Sequence, residues 1–462
     1  MTAMNARTWL LGGATVAMLL GAPAGATPMD AALCQGTGGS VNYGTRLKAW
    51  QMGDPGTPML KRTLNSQAGA RCNDGSPAVM YLRPAPIGSP DGDKWIIHLD
   101  GGGGCRDVED CRDRWCSLGG QVFDVAGKMS SLGAHDAISE NQGLFSPVTG
   151  NAFRGFNHVL VHYCSSDNWI GSALPGEPVD PNGQQVSYDI EFQGEAIVAD
   201  VFGTLHNGPT WADPGPLSEY YDRPMPDLDT ASVVIVSGDS AGGGGVRHHI
   251  DKIRDRLMFF NPGVSVYAFI DAGVGPALYD PALSWSNSPY NDYLDMMDSE
   301  KEPTVRGFWR ADDSALDQSC LNLAPDPLYC LDTVYTLENH ITTPFAVRQD
   351  LTDPLPMPRL VGEWKLFADS EAFARASADQ LVILRTAGIE PRPDASVFGP
   401  NCGKHIAIRD NGGFALTTTT SSTGNGLPWH DLVVNWLTGA APDSDVQTDN
   451  PALAGYSGSN CH

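Results

Sequence analysis

The residues Gly238-Asp239-Ser240-Ala241-Gly242 fit the pattern G-x-S-x-G. They directly follow the apolar run ASVVIVS (231–237) and precede a segment, 243–255, whose composition predicts a helix. A strand that bends sharply into a helix leaves a serine exposed at the bend. Glycines beside it remove the side chains that would clash there. The helix N-terminus also favours negative charge developing near the hydroxyl. This arrangement makes Ser240 a candidate nucleophile. A bare G-x-S-x-G also arises by chance in a chain with 52 glycines, so the strand before it and the helix after it carry the weight.

A serine hydroxyl needs a base, and the oxyanion it creates needs donors. The donors are sought in Leu99-Asp100-Gly101-Gly102-Gly103-Gly104, a glycine run after an apolar stretch. The competing reading is a phosphate-cradling loop. That loop would be followed by Lys-Ser/Thr, whereas Cys105-Arg106 follow here. The N–H groups of Gly102, Gly103 and Ala241 are therefore the candidate oxyanion hole. Six histidines lie after Ser240. His248 and His249 share the elbow helix and sit too close along the chain to swing back over the serine. Adjacent helical residues also point about 100° apart, which argues against a shared metal ion. His340 precedes an expected strand and His462 is terminal, which leaves His405 and His430 open. No cofactor or metal is expected.

Several elements must position these groups. Apolar runs at 94–99 (KWIIHL), 157–162 (NHVLVH), 231–237, 265–271 (SVYAFID) and 343–347 (TPFAV) read as strands. Residues 371–387 read as a helix. Continuous apolar strands alternating with helices predict a mostly parallel central sheet flanked by helices, an α/β-hydrolase-like class. The Pro- and Asp-rich stretches at 207–230 and 276–327 read as long loop insertions, and 417–422 as a polar loop. Residues 27–440 are expected to form one catalytic domain. The acidic tail 441–462 lacks periodicity and is expected to be tied down by Cys461.

Residues 1–26 read as a cleavable signal peptide. Arg7 supplies the positive end, 9–20 the apolar stretch, and Ala24-Gly25-Ala26 the small residues before the cut. The apolar stretch is too short for about 30 Å of hydrocarbon. A secreted or periplasmic location follows, with no membrane insertion after cleavage. Ten cysteines without a Cys-x-x-Cys unit favour disulfides over zinc. Cys320 with Cys330, and two of Cys105, Cys111 and Cys116, are the expected local pairs. The 462 residues carry 29 basic and 54 acidic side chains, a formal charge of −25. That balance argues against nucleic acid or an anionic membrane as partner.

Five segments resemble the pectin acetylesterase family, which also contains the Notum carboxylesterases. They are Arg71-Cys72-Asn73-Asp74-Gly75-Ser76-Pro77-Ala78, the run from Leu99 to Cys105, Tyr163-Cys164-Ser165-Ser166-Asp167-Asn168-Trp169, the elbow at Gly238 to Gly243, and Asn401-Cys402 with His405. The resemblance implies a secreted α/β-hydrolase that removes acyl groups with a Ser-Asp-His triad. Ser240 matches the family's nucleophile and His405, not His430, its histidine. The family's register after a Pro-initiated strand lands on Asp353. Asp350 and Asp369 remain rivals, since Arg348 and Asp350 stand where the family is apolar.

Two departures shape the substrate expectation. Relatives that accept fatty acyl chains carry aromatic residues where this chain has Gly103 and Gly104, which favours acetyl. Pectin is anionic, so a chain at −25 needs a local basic patch to bind it. Arg106, Arg112, Arg114 and Arg247 are candidates for that patch. Their competing role is pairing with Asp107, Glu109, Asp110 and Asp113. The expected partner is thus an acylated carbohydrate, pectin or a neutral acetylated glycan. The alternatives are a general short-chain carboxylesterase, a peptidase on the same triad, or an idle secreted binding protein that keeps the fold. Tyr163 to Trp169 reads either as sugar-site lining or as structure, with Cys164 in a disulfide and Trp169 in the core.

Overall fold

The computed structural model describes residues 28–275, except 55, 121–122, 184–185, 207 and 209–224. It also describes 298, 301–363, 367, 369–386, 394–415, 427–439 and 446–448. The expected signal peptide, the loop at 417–422 and the staple at Cys461 lie outside the described residues, as do parts of both long insertions.

A sheet of ten strands forms the centre, in the spatial order β10-β9-β8-β7-β6-β3-β5-β2-β1-β4. In chain order the strands are β1 (Met59–Thr63), β2 (Val79–Arg83), β3 (Lys94–Leu99), β4 (Ala137–Ile138), β5 (Asn157–Val161), β6 (Val233–Asp239), β7 (Ser265–Asp271), β8 (Phe345–Arg348), β9 (Ala395–Gly399) and β10 (Val446–Thr448). From β10 across to β5 every neighbouring pair is parallel. β2, β1 and β4 extend the other edge as antiparallel strands. This is the α/β-hydrolase-like arrangement expected from the alternating apolar runs.

The central strands are apolar on both faces because helices cover both. Ile97, Val234, Val236 and Ile270 pack with Val201 of α2 (Gly194–Leu205) and with Val246, Ile250 and Leu257 of α3 (Ala241–Phe260). On the opposite face Ile96, Ile235 and Phe269 pack with Trp429, Leu432 and Val433 of the helix Trp429–Thr438. Burying a large apolar side chain contributes about 1.5–3 kcal/mol, so a strand apolar on both faces is stable only at the centre of such a layered fold. A third cluster, with Trp115, Phe192, Phe308 and Trp309, is apolar filling within the loop-rich part of the chain.

Five strands match the expected runs to within two residues at either end. β1, β2, β4, β9 and β10 were not expected. β1 reads MLKRT, a half-exposed strand with little apolar signal. β10 falls in the acidic tail read as lacking periodicity, yet Val446 to Thr448 pair with Val397 to Gly399. Disulfides join Cys34–Cys116, Cys72–Cys164, Cys105–Cys111 and Cys320–Cys330. Two of these are the expected local pairs.

Candidate active site

Ser240 stands between β6 and α3 with φ 54° and ψ −120°, a strained conformation for a non-glycine residue. Its N–H donates to the carbonyl of Asp271 at 2.8 Å, which ties the bend to β7. A Cβ at Gly242 would lie 1.9 Å from the carbonyl oxygen of Leu99, so only glycine lets α3 approach β3. The G-x-S-x-G spacing is thus a packing requirement here.

His405 arrives from the loop after β9 and Asp353 from the loop after β8. The His405 Nε2 is 2.8 Å from the Ser240 Oγ. Its Nδ1 lies 2.8 and 2.9 Å from the two carboxylate oxygens of Asp353. A carboxylate only accepts, so Nδ1 carries the proton and Nε2 accepts from the serine hydroxyl. Asp353 is fully buried. It also accepts from the Gln349 side chain at 2.8 Å and the Leu355 N–H at 3.0 Å.

The other named candidates lie elsewhere. Asp350 accepts backbone N–H groups from Thr352, Cys402, Gly403 and Lys404 at 3.0–3.1 Å, which shapes the loop that carries His405. Asp369 caps the helix Ser370–Thr386 through the Ala372 N–H. His430 accepts from the Ala152 N–H at 3.2 Å and packs edge-on against Phe153 and Phe414. His249 bonds the Trp169 carbonyl, and burial pushes its pKa down to about 3.

The glycine run after β3 passes beside Ser240, since a Cβ at Gly101 would come 3.0 Å from the serine's Cβ. The Gly101 N–H donates to Asp239. No hydrogen bond occupies the N–H groups of Gly102, Gly103 or Ala241 among the described residues. Ala241 is the first residue of α3, where an N–H has no partner within the helix. Three free donors therefore lie on the two segments that flank the hydroxyl.

Several contributors are invisible to spacing arguments. Arg348, fully buried on β8, donates to the carbonyls of Lys404 and His405 at 2.7 Å each. Asp271 accepts from the N–H groups of Ala407 and Ile408 at 2.6 and 2.7 Å. Asp271 at the end of the apolar run 265–271, and Arg348 where the family resemblance implies an apolar residue, are the signals that could have pointed here. Of the two roles weighed for the four arginines, the described residues show pairing or burial. Arg106 pairs with Asp110, and Arg112 with Glu109 and Asp113. Arg114 is buried on the Gly102 carbonyl, and Arg247 on the carbonyls of Cys330 and Asp332. Tyr163 and Trp169 are both buried, and Cys164 is disulfide-bonded, so that segment is structural. Among the described residues His206, Asp227 and Asp229 have ligand-type atoms within 4.8 Å of one another, a geometry able to hold a cation.

The fold and site bear on the comparisons with known proteins. Residues 57–210 match the family model described as Pectinacetylesterase. The chain is 27% identical over 364 residues to the palmitoleoyl-protein carboxylesterase NOTUM of Drosophila melanogaster, covering 75% of this chain and 44% of that one. It is 28% identical over 203 residues to the human protein of the same name, covering 44% and 34%. It is 23% identical over 391 residues to pectin acetylesterase 4 of Arabidopsis thaliana, covering 78% and 80%. The chain thus spans less than half the length of the Notum relatives. The crystal structure of the Wnt deacylase Notum from Drosophila superposes with a TM-score of 0.61 at 23% identity, covering 85% of this chain and 97% of that one. That likeness shows a common fold. In sequence the chain is similar to the Notum carboxylesterases and to pectin acetylesterase 4, and its fold is similar to that of Drosophila Notum.

Proposed function

We propose that this protein is a serine carboxylic ester hydrolase that removes small acyl groups, O-acetyl above all, from carbohydrate. The observation that carries the reading is the continuous hydrogen-bond chain from Ser240 through His405 to Asp353, set beside three N–H donors that no described residue occupies. Ser240 attacks the ester carbonyl while His405 takes its proton. Asp353 holds the imidazole in the required tautomer and stabilises the imidazolium. The N–H groups of Gly102, Gly103 and Ala241 receive the oxyanion, each worth about 3 kcal/mol of barrier. His405 then returns the proton to the leaving hydroxyl. Water cleaves the acyl-enzyme by the same route.

The names of the relatives support ester hydrolysis and differ in acyl size. Phe123 and Trp309 lie against Gly103 and Gly104, filling space beside the donors, which supports a short acyl chain. The paired or buried state of Arg106, Arg112, Arg114 and Arg247 favours a neutral acetylated glycan over pectin. Four disulfides and the leader-like residues 1–26 support export to an oxidising compartment. The test is acetate release from acetylated xylan, acetylated pectin and an aryl acetate in parallel. Release from xylan ahead of pectin is expected. Activity on the aryl ester alone overturns the glycan assignment and leaves a general short-chain esterase.

A further inference from the structure

The loop that follows β3 is held by two buried cations from outside it. The Lys128 ammonium donates to the carbonyl of Gly101 at 2.7 Å and to the Asp100 carboxylate at 2.5 Å. The Arg114 guanidinium donates to the carbonyl of Gly102 at 2.6 Å. Both side chains are almost fully buried, at 4% and 1% exposure.

A trans peptide is planar, and its C=O and N–H point in opposite directions. The Gly101 carbonyl belongs to the same peptide plane as the Gly102 N–H. The Gly102 carbonyl belongs to the plane of the Gly103 N–H. A cation on each carbonyl therefore fixes where the opposite N–H points, and withdraws electron density toward itself. Glycine planes are otherwise the freest to rotate.

We propose that Lys128 and Arg114 are positioning residues for the oxyanion hole, each locking one peptide plane so that its N–H faces the reacting carbonyl. The proposal rests on the esterase reading above. The surroundings support it. A Cβ at Gly102 would lie 2.9 Å from the Lys128 Cδ and from the Tyr163 ring, so the loop sits directly on the lysine. The Cys105–Cys111 disulfide binds the end of the loop to α1 (Val108–Trp115), the helix that carries Arg114. Asp100 takes Arg409 on its second oxygen at 2.6 Å, which leaves Lys128 oriented toward Gly101. Neither side chain needs to touch the substrate.

The test compares Lys128→Met, Arg114→Met, Arg114→Lys and, as control on the same helix, the half-buried, acid-paired Arg112→Met on 4-nitrophenyl acetate, with Ser240→Ala alongside. The two methionine variants are expected to lower kcat by about 10–100-fold, with KM within about twofold of the parent. Affinity for a trifluoromethyl ketone, whose serine hemiketal carries an oxyanion, is expected to fall by the same factor. Arg114→Lys should restore part of both, and Arg112→Met should change neither. If Lys128→Met does not fold, Lys128→Met/Asp100→Asn removes the buried pair together and is read in the same way. Parent-like kcat and ketone affinity in the folded methionine variants overturn the proposal, whatever their melting temperatures. If Ser240→Ala keeps turnover, the esterase reading itself has failed. A dead Ser240→Ala beside active clamp variants refutes only the clamp.

Discussion

Arg348 donates to the carbonyl oxygen of His405 at 2.7 Å, so a buried cation on strand β8 grips the very residue whose imidazole meets Ser240. The guanidinium lies between Asp271 and Asp350, at 3.1 and 3.3 Å. Those two carboxylates in turn accept the backbone N–H groups of Cys402 to Lys404 and of Ala407 and Ile408. One Asp–Arg–Asp cluster thereby holds both polarities of the histidine's loop.

Removing the cation leaves two buried carboxylates uncompensated. Arg348→Met is expected to cost about 3–5 kcal/mol of unfolding free energy. Turnover of the folded fraction should fall as well, because the His405 loop loses its carbonyl anchors. Urea unfolding followed by assays below the transition checks both. A variant as stable as the parent refutes the cluster's role.

The three-residue bond chain gives separable expectations. Ser240→Ala and His405→Ala should each reduce kcat by about 10⁵–10⁶-fold, while His430→Ala leaves it within a few-fold. Asp353→Asn should lose about 10⁴-fold through the wrong imidazole tautomer. Asp350→Asn acts on loop stability, so its loss should appear in the melting temperature. If Asp350→Asn, and not Asp353→Asn, shows the tautomer-sized loss, the assignment of the acid is reversed.

Gly242→Ala places a methyl 1.9 Å from the Leu99 carbonyl and must push α3 off β3. The expected result is a cost of several kcal/mol, on the scale of about 3 or more for overpacking against rigid backbone, together with loss of activity. Circular dichroism melts set against the parent measure it. Full stability would show that the elbow relaxes freely.

Buried histidines should make stability fall in mild acid, against the opposite contribution of Asp167, whose pKa burial raises to about 6. Burial pushes the pKa of His162 down to about 4 and that of His249 to about 3. In the unfolded chain both titrate near 6.5. The unfolded state therefore takes up protons first, and stability present above about pH 6.5 is lost as the pH falls toward the folded values. The shift at His162 alone corresponds to about 3 kcal/mol. Unfolding free energies between pH 7 and 4 should decline, and His249→Gln should flatten the slope. A pH dependence in His249→Gln identical to that of the parent rules the effect out.

Much of the site could be read along the chain. β3 and β6 announce themselves because central parallel strands are apolar on both faces, and the elbow because its glycines are forced by backbone contact. His405 stood level with His430 on pattern alone. A histidine's partner depends on where its loop returns, and only the family resemblance separated the two before the structure. The edge strands were illegible for a physical reason. β1 is half-exposed, so it carries charge, and β10 is three residues long with no alternation to detect.

What the sequence determined by itself was a candidate nucleophile at a glycine-framed bend, a candidate donor loop after an apolar strand, and an acidic chain rich in cysteine. Those features are local, set by residues adjacent along the chain. Only the tertiary structure decided that Asp353 rather than Asp350 lies against the imidazole, that Arg348, Lys128 and Arg114 are buried behind the site, and that Arg106 and Arg112 pair with acids while Arg247 is buried. Each of these depends on which distant carbonyl or carboxylate a buried charge meets. Desolvation forces that charge to find a partner, but it does not say which one.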